Sequence, residues 1–146
     1  MFRRTMVTAA AVAALLGGAA LPAVASPTPS TASSRVAAEP SVVDVTAANF
    51  SQVMEMSKTR PVVLNFTASW CHWCQKMKPY LQQYNTADNG TWVWARVDAD
   101  ANRAIMQKYG VRGIPTLINI RNGQEAGSRM VGYDGPQALR TWLNNL

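Results

Sequence analysis

The sequence predicts an α/β fold, a central mixed sheet flanked by helices. Three observations lead there. Strand-like and helix-like stretches alternate as β-α-β-α-β-α-β-β-α, the pattern of parallel strands joined by crossover helices. The run Val62–Thr67 is almost continuously apolar, as in a strand covered on both faces. Asn122-Gly123, between two strand-like runs, is a hairpin turn signal.

Taken in order, residues 41–45 read as the first strand. Thr46 is the expected N-cap of a helix over 47–58, where Phe50, Val53 and Met54 fall at i, i+3 and i+4. Pro61 ends that connection, and the second strand covers 62–67. The stretch from Gln75 to about Asn85 reads as helix, with Met77, Leu81 and Tyr84 on one side. Pro79 inside it removes one N–H bond and predicts a kink. Asn89-Gly90 marks a turn into a third strand over 91–97. A short helix over 102–109 follows, with Asp98 and Asp100 as its expected caps and Gly110 beyond its end. Gly113-Ile114-Pro115 leads into a fourth strand over 116–120, and a fifth is expected within 125–131. Gly135-Pro136 opens a last helix whose Leu139, Trp142 and Leu143 share a face.

The 146 residues hold one such domain, over 42–146, and some extra chain. Residues 1–25 read as a secretory signal peptide. Arg3 and Arg4 form a basic start, Val7 to Leu21 is rich in Ala and Gly, and Ala23-Val24-Ala25 supplies a small-x-small cleavage pattern. As a helix that apolar stretch would span only ~23 Å, short of the ~30 Å of a bilayer core. The paired arginines also fit a twin-arginine export signal. Residues 26–41 are rich in Pro, Ser, Thr and Ala and read as a flexible linker. The expected location is therefore outside the cytoplasm, periplasmic or secreted. The formal charge is +6, and +4 once Arg3 and Arg4 are gone, without a basic run. That disfavours nucleic acid as a partner.

Chemistry concentrates in Trp70-Cys71-His72-Trp73-Cys74, which holds both cysteines. A strand delivers the pair to a helix N-terminus, where unpaired N–H groups and the dipole favour a thiolate. Cys71, nearer solvent, is the expected nucleophile, and Cys74, one turn deeper, the resolving thiol. A structural disulfide is the default for two exported cysteines. A bridge closing so short a loop removes little unfolded-chain entropy, however, which favours a bond made to be broken. A metal site is the rival chemistry. Zinc wants four ligands, and Cys71, Cys74 and the lone His72 offer three at best. Copper(I) on the two thiolates is a lesser alternative. Gln75 stands where a haem-attachment motif needs histidine.

These motifs in register resemble the thioredoxin family over essentially the whole domain. They are Val62-Val63-Leu64-Asn65-Phe66 running into the cysteine pair, then Lys76 and Pro79, Arg96-Val97-Asp98, and Tyr109-Gly110-Val111-Arg112-Gly113-Ile114-Pro115-Thr116. Val131-Gly132-Tyr133 closes the series. The resemblance implies a thioredoxin fold: the first, third and second strands adjacent and parallel, with the fourth and fifth an antiparallel hairpin. It implies a cis Ile114–Pro115 bond beside the cysteines, where an extended substrate peptide pairs with exposed backbone. It also implies that Trp70 shields the thiolate and meets partners.

The chain departs from that family in three places. Asn65 stands where thioredoxins proper carry a buried acid, and Arg96 replaces a lysine, so a titrating internal base is missing at 65. Asn65 reads equally as a structural polar residue hydrogen-bonded across strands. His72-Trp73 replaces Gly-Pro between the cysteines. As imidazolium, His72 would stabilise the Cys71 thiolate, or it is simply solvated. Trp73 places a large apolar face beside the site, to bind substrate or simply to cap the core.

The resulting expectation is an exported thiol–disulfide oxidoreductase with catalytic Cys71 and Cys74, supported by Trp70, His72, Trp73, Ile114 and Pro115. It uses no organic cofactor and no metal. It exchanges with protein thiols and disulfides, a membrane electron carrier is a candidate electron source, and the chain is expected to be a monomer. The reductase direction is preferred. The alternative from another class is a redox-inactive peptide-binding module or holdase.

Overall fold

A computed structural model describes Gly18 and residues 41–146. Apart from Gly18, the expected signal peptide (1–25) lies outside the described residues, as does the expected linker (26–41) apart from Ser41. The elements run β1 (Val42–Val45), α1 (Phe50–Met56), β2 (Val62–Thr67), α2 (His72–Ala87), β3 (Val93–Asp98) and α3 (Arg103–Lys108). After these come β4 (Thr116–Arg121), β5 (Gln124–Glu125), β6 (Met130–Val131) and α4 (Pro136–Leu143).

The sheet order is β1-β3-β2-β4-β5, with β6 also on β4. β1 and β2 both pair β3 in parallel, while β4 runs antiparallel to β2 and to both short strands. This is the mixed sheet of the thioredoxin fold, with β2 at its centre, and all but the last residue of β2 are buried. Alternate residues of β2 serve opposite layers. Val62, Leu64 and Phe66 join Val53, Met56 and Ile105 on the side of α1 and α3. Val63 joins Met77, Leu81, Leu139 and Leu143 on the side of α2 and α4. Each fully buried Leu, Val or Phe contributes about 1.5–3 kcal/mol relative to exposure, so these two layers hold the sheet between helices.

Apart from shifts of a few residues at other element ends, three features differ from the expectation, each for a local reason. α1 starts at Phe50 rather than 47. Thr46 N–H donates to Asn49 Oδ1 (2.8 Å) and Asn49 N–H to Thr46 Oγ1 (3.3 Å), a reciprocal pair that holds 47–49 as a turn. The expected fifth strand is two fragments, β5 and β6, separated by residues 126–129. Gly127, at φ +70, turns the chain there, and the Glu125 and Arg129 side chains pair across the interruption at 2.5 and 2.8 Å. Asp98 and Asp100 do not cap α3, whose N-cap position is Asn102. Asp98 Oδ1 instead accepts the N–H groups of Asp100 and Ala101, an Asx turn that closes the end of β3.

α2 continues without a break through Pro79 to Ala87. Its end is fixed by Asn89 and Gly90, both at positive φ. Gly90 has a second constraint, since a Cβ there would lie 2.9 Å from Ser41 Cβ, so only glycine fits. The Asn122-Gly123 turn has both residues at positive φ, as a tight hairpin of this type requires. Ser57 holds it from the end of α1, its carbonyl accepting Asn122 N–H at 2.9 Å and its Oγ accepting Gly123 N–H at 2.7 Å.

Candidate active site

β2 ends at Thr67, and four residues later the chain enters α2 with Cys71 as its N-cap residue. Cys71 has extended backbone, and its Sγ accepts the N–H of Cys74 at 3.2 Å. A sulfur thus occupies the place usually taken by a serine or aspartate oxygen, facing the positive end of a 16-residue helix. Cys71 and Cys74 are joined in a disulfide with Cα atoms 5.2 Å apart. The expected ranking of exposure holds, but with a correction. Cys71 is only 6 % exposed, against 3 % for Cys74, because Ala68 and the half-buried Ile114 pack around both. Gln75 braces the loop by donating from Nε2 to the Ala68 carbonyl at 3.0 Å.

The aromatic residues on either side of the sulfur stand out into solvent: Trp70 is 69 % exposed and Trp73 56 %. Trp70 Nε1 donates to Asp100 Oδ2 at 2.8 Å, thirty residues away in sequence, which fixes the indole over the end of β3. Asp100 is the residue that sequence reasoning missed, because an acid after a strand reads as a helix cap. His72 is the first residue of α2, exposed, with its ring edge-on to Trp73 at 5.3 Å between centroids.

On the other side of the disulfide the Ile114–Pro115 peptide bond is cis and Pro115 is buried. The Pro115 carbonyl accepts Gly132 N–H at 2.8 Å, and Thr116 pairs with Val131, which is 68 % exposed. Of the expected supporting residues, Ile114 packs against the cysteine cluster, Trp70, His72 and Trp73 flank the cysteines along the chain, and Pro115 follows Ile114 across the cis bond. Trp70, Trp73 and Val131 are three of the four large exposed apolar residues described.

On β2, Asn65 is 3 % exposed, and its Oδ1 accepts the indole N–H of Trp94 on β3 at 3.1 Å. The cross-strand structural reading of Asn65 is the one the geometry supplies. Arg96, also on β3, turns outward to form a two-bond pair with Asp44, both bonds 2.7 Å. Among the described residues, no group of three or more His, Cys, Asp or Glu side chains gathers in a way that could hold a metal ion.

Comparison with known proteins agrees with this geometry. Residues 41–145 match the family model for Thioredoxin. A thioredoxin from Alicyclobacillus acidocaldarius is 31 % identical over 99 residues, covering 68 % of this chain and 91 % of that protein. Protein disulfide isomerase-like 2-1 of Oryza sativa is 37 % identical over 109 residues, which is 72 % of this chain but only 28 % of the relative. Among solved structures, Fasciola hepatica thioredoxin superposes with a TM-score of 0.63 at 29 % identity, covering 70 % of this chain and 96 % of that one. The chain belongs to the thioredoxin family. With its paired cysteines bonded at a helix mouth, it is a thioredoxin-like thiol–disulfide oxidoreductase, and proteins of this kind act on protein thiols and disulfides.

Proposed function

We propose that the protein is an exported reductase of protein disulfides, with Cys71 as the attacking thiol and Cys74 as the resolving one. The observation that carries this reading is the N-cap position of Cys71, whose sulfur accepts the Cys74 N–H at 3.2 Å. In the reduced protein that hydrogen bond and the helix dipole favour the Cys71 thiolate. The thiolate attacks one sulfur of a client disulfide, forming a mixed disulfide and releasing the other client sulfur as a thiol. Cys74 then loses its proton and attacks Cys71, which expels the second client thiol and closes the Cys71–Cys74 bond. Two electrons pass to the client, and a dithiol on another protein restores the pair.

The exchange needs only sulfur, without an organic cofactor or metal. Trp70, His72, Trp73, Ile114 and Pro115 form the surface that the client meets. Export rests on the sequence of residues 1–25, and a membrane electron carrier fits a dithiol that must be renewed outside the cytoplasm. The protein works as a monomer. The test is insulin reduction with dithiothreitol as electron source: the unsubstituted chain is expected to precipitate the insulin B chain and Cys71→Ser is not. Activity that survives Cys71→Ser overturns the assignment. Equilibration with glutathione at set ratios then gives the direction, since family potentials run from about −270 mV for reductants to about −120 mV for oxidants.

A further inference from the structure

Beside Trp70 the surface opens into a groove of about 480 Å³, floored by Met106, Val111 and Ile114. Two guanidiniums line it, Arg103 from the start of α3 and Arg112 from the segment before Pro115. The described residues include seven arginines. Arg96, Arg129 and Arg140 are held by carboxylates, and Arg60 and Arg121 donate to backbone carbonyls. Arg103 and Arg112 alone among the seven make no ion pair or hydrogen bond within the described residues, and both are exposed in this one groove. The one acid there, Asp100, is already bonded to Trp70, so two cations face a single carboxylate.

We propose that this groove selects clients carrying acidic residues next to the cysteine that Cys71 attacks. The inference rests on the oxidoreductase reading above and adds to it the class of segment preferred. Ile114 both lines the groove and packs against the two sulfurs, so a chain whose cysteine reaches Cys71 passes directly over it. The apolar floor accepts the stem of such a segment. Its carboxylates meet guanidinium forks suited to paired hydrogen bonds. Opposite charges across a partly wet groove act mainly on encounter and register, and they fade with salt.

The test uses the full-length chain, reduced beforehand, and three disulfide-linked peptides that differ only in having Glu, Gln or Lys flanking the cysteine. Single-turnover rates are measured by stopped flow, each divided by the rate of the same peptide with dithiothreitol to remove intrinsic reactivity. At low ionic strength the Glu peptide is expected to react about fivefold faster than the Lys peptide, and the gap is expected to close at high salt. Arg103→Gln/Arg112→Gln is expected to bring the ratio close to one. Lys58→Gln/Lys108→Gln, which removes the same charge elsewhere, is expected to keep it. Equal rates for all three peptides, or an equal loss of preference in both double variants, overturn the groove and leave the oxidoreductase standing. If none of the peptides is reduced, the oxidoreductase reading falls and the groove with it.

Discussion

The indole N–H of Trp94 on β3 donates to the side-chain oxygen of Asn65 on β2, 3.1 Å away, in the protein interior. Asn65 lies one strand position before Phe66, on the α2 side of the sheet, where a buried polar group needs a partner. Asn65→Ala leaves the indole donor without its acceptor and is expected to cost about 1–3 kcal/mol. Urea unfolding of Asn65→Ala, Trp94→Phe and the double variant checks this. The double variant should cost clearly less than the two single costs combined, since no orphaned donor remains.

The exchange order assigns different fates to the two sulfurs. Cys74→Ser is expected to accumulate a covalent mixed disulfide between Cys71 and its client, because nothing expels it. Cys71→Ser is expected to accumulate none. Non-reducing electrophoresis and intact mass read the adduct directly. An adduct formed through Cys74 in the Cys71→Ser protein would reverse the roles.

Asp88 closes α2 and ties it to α4 and to the segment leading into β3. It accepts Trp92 Nε1 at 2.8 Å and pairs with Arg140 of α4 at 2.9 Å, while that guanidinium lies over the Tyr84 ring at 5.0 Å. Both partners of the ion pair are partly shielded, at 30 % and 23 % side-chain exposure. Asp88→Ala is expected to destabilise by about 1–2 kcal/mol, more than Asp44→Ala, which breaks a pair whose carboxylate is 73 % exposed. Thermal or urea melts of the two variants rank them.

The Glu125–Arg129 pair across the β5–β6 interruption makes stability depend on pH. Its hydrogen bonds with Arg129 hold the Glu125 carboxyl below the usual carboxylate range. A depressed folded-state value means that the contribution is complete above the unfolded pKa of about 4.3 and is lost as pH falls through the folded one. Glu125→Gln is therefore expected to be less stable than the parent at pH 7 by no more than about 1 kcal/mol, since both side chains are about a third exposed. The difference should vanish under strongly acidic conditions. Paired melts at pH 7 and below pH 3 measure it.

Most of the scaffold was legible in the sequence because its signals are local. The apolar run at 62–67, the Asn122-Gly123 turn and the spacing of Met77 and Leu81 each belong to one element. What was not legible depends on pairs distant in sequence. Trp70 and Asp100 meet only because β2 and β3 are neighbours, and so do Asn65 and Trp94. The split of the last strand follows from Gly127 at positive φ together with the pair spanning it, and a composition reading sees only a short polar stretch. The shallow exposure of Cys71 comes from Ile114, forty-three residues downstream, which no spacing argument places against it.

Cys71 and Cys74 form a small cluster with Ala68, and Ile114 packs both against that cluster and against the apolar layer on the side of α1 and α3. The part that wears thus meets the frame that bears weight through a single side chain.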